Sequence, residues 1–276
     1  KHMIENNGNL DKERCSHLIE ELNHLEGIEG FIYKNYSYGG TEGQEFRRMY
    51  FSDFNAKKCD AIRIAIDEWL KQGKINEHEY FFLLGSLLNS VDKYANTASV
   101  YGAYLKALKK SALKEMELVA LPIMQGTVEC KVYNEDISEL IKNVSGDILY
   151  LDPPYNARQY CSNYHLLETI ARYDNPEIKG KTGLRDYTNQ KSVFCIKNKV
   201  ADAFNELIKN AKFKYIFLSY NNEGLMSFDT IEKIMRKYGK YKVYMQQYRR
   251  FKADNARDAK SDSTIEYLHC LVKEDV

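Results

Sequence analysis

Tryptophan occurs once and proline four times in 276 residues, and no apolar run approaches the length of a membrane span. The N-terminal residues lack the basic start, apolar stretch and small-residue cleavage site of a secretory leader. Six cysteines (Cys15, Cys59, Cys130, Cys161, Cys195 and Cys270) are scattered without a C-x-x-C pair. In a chain this long they read as reduced thiols, which excludes a disulfide framework and sets a cytoplasmic expectation. No carboxylate–histidine cluster stands at ligand spacing, so no metal is expected. G-x-G-x-x-G loops, internal repeats and low-complexity stretches are absent as well. Net charge is only +1, which argues against nucleic-acid affinity through bulk charge.

What is present is 44% hydrophobic content, enough for one large domain or two modest ones. The charge is also unevenly placed. Lys233, Arg236, Lys237, Lys240, Lys242, Arg249, Arg250, Lys252, Arg257 and Lys260 are opposed within their own stretch only by Asp254 and Asp258. Such a run usually marks a solvated face. The interleaved Tyr238, Tyr241, Tyr244, Tyr248 and Phe251 move the reading towards a surface that meets phosphates.

The first half reads as helical. Leu18, Ile19, Leu22 and Leu25 give one helix within 11–26, and Ser52-Asp53 can cap a second that carries Ala61, Ile62, Ala65, Ile66 and Trp69. A third is expected from Glu77 to about Val91 with Tyr80, Phe81, Leu84, Leu87 and Leu88 inward, and a fourth over 99–115. Between Phe31 and Gln44 the glycines and tyrosines predict an irregular loop. After a boundary at Pro122–Gly126 the pattern becomes strand, helix, strand. Strands are expected at Val128–Tyr133, Ile148–Leu151 and Lys214–Tyr220. Helices are expected at Ile137–Asn143, Tyr164–Tyr173, Asn198–Lys209 and Phe228–Tyr238. Tyr241–Tyr248 and Thr264–Val272 alternate well enough to pair as a closing antiparallel hairpin. The fold class is α/β: a mostly helical region over 1–126, then a sheet domain with an antiparallel edge over 127–276.

The stretch that organises the chain is Asp147–Asn156, D-I-L-Y-L-D-P-P-Y-N. Its apolar run suits a strand buried in a parallel sheet. Pro153 and Pro154 offer no N–H to a ladder, so the chain must leave the sheet at Asp152. A carboxylate, a rigid carbonyl and an aromatic ring thereby reach the carboxyl edge, where open α/β sheets bind ligands. These groups suit an exocyclic amino group on a nucleobase, whose lone pair is delocalised into the ring. Asp152 and the Pro153 carbonyl can accept its two hydrogens while Tyr155 stacks on the base. A plain Asp-Pro turn with Tyr155 as rim packing is the structural rival.

Asp152–Tyr155 resembles the DPPY motif of adenine-N6 DNA methyltransferases, and its surroundings resemble the alpha group of that family. The supporting segments are Asn134-Glu135-Asp136-Ile137, Tyr164-His165-Leu166-Leu167, Leu218–Gly224 and Tyr248–Lys252. The resemblance covers about residues 127–272 well and the helical front loosely. It implies a Rossmann-like sheet, S-adenosylmethionine as methyl donor, and double-stranded DNA as partner. The adenine would be flipped out of the duplex at a defined site, as in a restriction–modification system. Asp152, Pro153, Pro154 and Tyr155 would be catalytic. Asp136 and the Ile137 amide would hold the cofactor adenine, with Asp136 as a helix cap the competing role.

The same resemblance makes the helical front the recognition domain, with Arg47, Arg48 and Lys93, and the loop residues Tyr36, Tyr38 and Asn96, as positions to test. Tyr160, Tyr164 and His165 would line the base pocket or face the cofactor, although His165 on an apolar helix also reads as packing. Ser219, Tyr220 and Asn221 would position the base or a recognition loop, against a plain turn. Arg249, Arg250 and Lys252 would meet DNA. Family members also open with a lysine-containing segment and a glycine-rich F-x-G-x-G turn that approaches the cofactor. Neither occurs here, so an N-terminal fragment or partner chain is expected to supply that motif and complete the sheet. Methylation of RNA adenine and a non-catalytic DNA-binding subunit are the alternatives.

Overall fold

The computed structural model describes residues 10–98, 100–123, 130–249 and 263–274. In chain order its helices are α1 (Lys12–Asn23), α2 (Phe31–Tyr36), α3 (Asp53–Lys71), α4 (Glu77–Tyr94), α5 (Ile137–Leu140), α6 (Tyr160–Asn163), α7 (His165–Arg172), α8 (Val200–Asn210) and α9 (Phe228–Met235). The strands are β1 (Ser145–Leu151), β2 (Lys212–Asn221), β3 (Gly239–Arg249) and β4 (Ser263–Lys273). Two compact units result, one from Lys1–Tyr133 and Ser162–Tyr187, the other from Asn134–Cys161 and Thr188–Val276. The chain therefore returns after β1 to add α7 to its first unit.

The first unit packs Leu18, Leu22, Ile32, Ile62, Ile66, Phe82, Leu87, Leu166 and Ile170 into one core. Local chemistry starts its longer helices. Asp11 accepts from the Arg14 amide, Ser52 from the Asn55 amide, and Asn76 and Glu79 exchange bonds in a capping box. On α4 the buried apolar side chains are Phe82, Leu83, Leu84, Leu87 and Val91, so Leu84 and Leu87 lie inward as expected while Tyr80, Phe81 and Leu88 are only partly covered. Its inward face thus overlaps the expected one in part and extends to Phe82, Leu83 and Val91.

Two expectations fail here for a common reason. Phe31–Tyr36 is helical, because the buried Asp60 carboxylate accepts from the Ile32 and Tyr33 amides at 2.9 and 2.8 Å. A cap supplied from another helix leaves no local signal. Tyr36 is therefore a buried helix residue and not part of a loop. Conversely, the helix expected over 99–115 does not form among its described residues. Buried Asn96 bonds the backbone of Met49, Leu105 and Lys109, and Asn55 bonds that of Ala112, Lys114 and Met116. Two side-chain amides thus compete for the backbone groups a helix would use.

The second unit is a mixed four-stranded sheet of order β1-β2-β4-β3. β1 pairs parallel with β2, and β4 lies antiparallel to both β2 and β3. The 241–248 and 264–272 segments pair as expected, with Tyr244 opposite Leu268. Residues 130–133 carry no strand, and the rest of the strand expected at Val128–Tyr133 lies outside the described residues. One sheet face packs Ile216, Leu218 and Leu271 against Phe204, Ile208, Ile231 and Met235. The other face is open. Ile148, Tyr150, Tyr215, Val272, Tyr244 and Tyr248 share it by register and are all exposed. β1, expected to be buried, pairs among the described residues with β2 alone, and Ile148 and Tyr150 on its open face are 62% and 61% exposed.

Each unit buries one histidine with a ring nitrogen that has no partner among the described residues. His165 shares its Nε2 with the Tyr101 carbonyl, and His269 shares its Nδ1 with the Tyr241 hydroxyl. Burial pushes both pKa values from 6.5 down to about 4, helped at His165 by Arg48 and Arg185 and opposed at His269 by Glu232. The folded state thus refuses a proton that the unfolded chain accepts. Stability is fully present above pH 6.5 and is lost as pH falls towards 4, by up to about 3 kcal/mol at His165. Urea midpoints taken from pH 7 to pH 4.5 should fall, and His165→Asn should flatten the decline. Equal slopes for wild type and variant would contradict this.

Candidate active site

β1 delivers the chain to Asp152 in extended geometry, and the two prolines that follow end the strand. Asp152 is exposed, and among the described residues nothing donates to its carboxylate or to the Pro153 carbonyl. Two acceptors therefore stand beside each other with their lone pairs available. Tyr155, 42% exposed, presents its ring while its backbone carbonyl accepts from the Leu225 amide at 2.9 Å. That bond ties the far end of the motif to the chain leaving β2. Beyond it, Gln159 exchanges bonds with the Ser192 backbone, at 3.1 Å to the carbonyl and 2.7 Å from the amide. Cys195 donates to the Arg158 carbonyl, and Tyr160 stays exposed.

The S-Y-N-N-E-G segment forms the neighbouring support. Asn221 accepts from the Glu223 amide, and Asn222 accepts from the Thr264 hydroxyl and the Ile265 amide. Tyr220 lies 2% exposed beneath this turn, its hydroxyl accepting from the Met226 amide. Gly224 crosses the Tyr220 ring so closely that a Cβ there would stand 2.1 Å from the nearest ring carbon. Only glycine lets the turn fold back over the tyrosine. Tyr220 and Asn221 are thus placed as supports of the turn that anchors Tyr155. The sequence signal for that was the glycine three residues after Asn221.

Asp136 caps α5 by accepting from the Ser138 amide at 2.8 Å. It also borders an open groove of about 610 Å³, with Glu139, Lys199, Asp202 and Glu206 among its walls. The cap uses one carboxylate oxygen and leaves the other without a donor among the described residues. The groove carboxylates are acceptors of the kind to which the amino and hydroxyl groups of an adenosine donate.

In the first unit the expected residues divide. Arg47 is exposed, lies 3.5 Å over the Tyr38 ring and pairs loosely with Glu42. Arg48 is 6% exposed, and its guanidinium donates to the Gly180, Lys181 and Asn35 carbonyls and to Gln44. It is occupied inside the unit and not open to a phosphate. His165 is fully buried between Tyr36 and Tyr50, whereas Tyr164 is 39% exposed. Arg249 ends β3 opposite Ser263. Arg250 and Lys252 lie outside the described residues. Among the described residues no group of three or more His, Cys, Asp or Glu is placed to hold a metal ion, and no helix is long and apolar enough to cross a membrane.

Among the described residues, then, a carboxylate and a proline carbonyl stand free at the end of a parallel strand beside an anchored tyrosine, the arrangement expected of an amino-group methyltransferase. The chain matches the D12 class N6 adenine-specific DNA methyltransferases over residues 1–234 and belongs to that family. Its methyl donor is S-adenosylmethionine. The chain is 53% identical over 94% of its length to the type II methyltransferase M.NlaIII of Neisseria lactamica, covering 77% of that protein. It is 43% identical over 99% of its length to the type II methyltransferase M.FokI of Planomicrobium okeanokoites, but spans only 43% of it. M.CviAII of Paramecium bursaria Chlorella virus 1 is 40% identical over 93% of the chain and is covered to 75%. No solved structure matches. Neither RNA methylation nor a non-catalytic role is favoured by this company.

Proposed function

We propose that this chain methylates N6 of a flipped adenine at a defined sequence in duplex DNA, as the modification activity of a restriction–modification system in the cytoplasm. The observation that carries the reading is the pair of unoccupied acceptors at Asp152 and Pro153. With N6 between them, its two hydrogens are held and its lone pair is drawn out of the ring towards the incoming methyl. Tyr155 stacks on the base, where its anchored carbonyl keeps the ring in place. Asp136 and the Ile137 amide would hold the adenine of S-adenosylmethionine, which supplies an electrophilic methyl on sulfur. When bound, that cofactor would give up its methyl to N6 and leave as the thioether, taking the electron pair of the S–C bond. The surplus N6 proton then leaves by way of the Asp152 carboxylate. Tyr164, Arg47 and Arg249 remain the proposed DNA-side contacts, and the helical unit the proposed recognition domain.

The open sheet face motivates a second element of the reading. An upstream segment or a separate chain would add a strand along the free edge of β1 and pack against the open face at Ile148 and Tyr150, bringing the glycine-rich cofactor turn with it. Parallel sheets are ordinarily covered on both faces, and an unpaired apolar edge invites a strand. One experiment tests both parts. The isolated chain is titrated with S-adenosylmethionine by calorimetry, alone and after co-expression with the candidate segment. Labelled methyl incorporation into duplex DNA and into RNA is followed in parallel. N6-methyladenine in DNA only, with cofactor binding restored by the segment, is expected. Labelled cytosine or RNA would overturn the reaction assigned, and full cofactor affinity of the chain alone would remove the partner.

A further inference from the structure

The loop after α7 is held far more firmly than an ordinary surface connection. Lys179 and Leu184 exchange backbone bonds at 2.8 and 2.9 Å, closing a hairpin around Gly180-Lys181-Thr182-Gly183. All four carbonyls of that loop are taken by side chains from the segment ending at Tyr50. Arg48 donates to Gly180 at 2.9 Å and to Lys181 at 3.3 Å, Tyr50 to Thr182 at 3.1 Å, and Tyr36 to Gly183 at 2.7 Å. Both tyrosines are fully buried. Gly183 takes φ +67°, and a Cβ there would stand 2.9 Å from both Arg48 and Tyr36. Gly180, at φ +68°, has open space where its Cβ would be. The base of the hairpin is thus clamped while its tip projects outward.

The clamp also sorts the polar groups. With the carbonyls turned inward, the exposed tip offers donors. Among the described residues nothing accepts from the Lys181 or Thr182 amides, and the Lys181 side chain has no ion pair. Lys179 is 75% exposed, with a loose 3.5 Å pair to Glu177 that water and salt readily exchange. On the clamping segment, Arg48 points in while its neighbour Arg47 stays exposed over Tyr38. Arg185 behind the hairpin is already held by Asp174 at 3.0 and 2.6 Å.

We infer that the Lys179–Leu184 hairpin, with Arg47 beside its anchor, is a preorganised contact for the phosphate backbone of the DNA substrate. Loop amides and lysine ammonium groups are the donors that fix a protein's register on a duplex, and they carry no sequence information themselves. A loop clamped beforehand loses little freedom on binding. This rests on the DNA-methylation reading, and it assigns part of the DNA grip to a segment that follows the catalytic motif in the chain.

The test uses the full chain, with any sheet-completing segment that activity requires, and compares wild type with K179A/K181A and with K181E. The probe is a mixture of genomic duplex fragments, so no recognition sequence need be known. The double variant should bind roughly 5- to 20-fold more weakly, with the log–log salt slope reduced by about 2. KM for DNA should rise while kcat and cofactor affinity stay unchanged, and K181E should weaken binding further. Wild-type activity with unchanged affinity and salt slope in both variants would overturn the hairpin alone. A wild type that neither binds nor methylates duplex would overturn the DNA reading and the hairpin with it. A fall in melting temperature that accounts for the lost affinity would reduce the lysines to a structural role and overturn the contact.

Discussion

Asp152→Ala should lose methyl transfer by at least about 1,000-fold, the scale on which one preorganised charged partner of a transition state acts. The nitrogen becomes a nucleophile only as its hydrogens are drawn off the plane of the ring, and the alanine removes the charged member of the acceptor pair. Asp152→Asn keeps one acceptor oxygen but no charge, so a loss of about 100-fold is expected. DNA affinity should stay within about two-fold, because positioning comes from phosphate contacts elsewhere. Stability should also hold, since the exposed Asp152 carboxylate receives no hydrogen bond among the described residues. Labelled methyl incorporation, filter binding and a thermal melt separate these outcomes. Retained turnover in the alanine variant would remove the role assigned to the carboxylate.

Arg63→Ala should cost the first unit about 3 kcal/mol, the lower end for losing one partner of a buried charge arrangement. The Arg63 side chain is 2% exposed on α3. Its Nε donates to the Ile170 carbonyl at 2.8 Å and Nη2 to that of Ala171 at 2.9 Å, while Nη1 lies 2.5 Å from Asp67. Ile170 and Ala171 are in the last turn of α7, where carbonyls lack partners within the helix. The guanidinium is therefore a C-terminal cap supplied from another element. Arg63→Lys should recover less than half of the loss, because one ammonium cannot serve three directions at once. Trp69, the single tryptophan, sits on the same helix and reports the unfolding of this unit by fluorescence. An unchanged urea midpoint in the alanine variant would show that the cap is dispensable.

Much of the architecture is legible wherever neighbouring residues decide it. The apolar spacing of α1 and α3, the cap at Ser52 and the alternation of β3 and β4 all lie within a few residues of each other. Each formed where expected, with modest shifts at the ends. The motif Asp152–Tyr155 is equally local, since two prolines must end a strand whatever surrounds it. Legibility fails where a remote side chain intervenes. α2 depends on Asp60, and the irregular 100–114 segment depends on Asn55 and Asn96, none of which belongs to the stretch it shapes. The inward rotation of Arg48 was hidden for the same reason, whereas the burial of Tyr220 under its own turn was signalled locally by Gly224.

Local sequence determined the acceptor motif Asp152–Tyr155 and most of the element boundaries, because bond geometry and side-chain periodicity act over one or two turns. Tertiary structure decided which of those groups remain free. Among the described residues it left Asp152 and Pro153 without donors, exposed Ile148 and Tyr150 on one sheet face, and consumed Arg48 in clamping a hairpin more than a hundred residues away. The physical reason is that a buried carbonyl or guanidinium must find a partner wherever the fold supplies one, and the fold, not chain proximity, determines what is within reach.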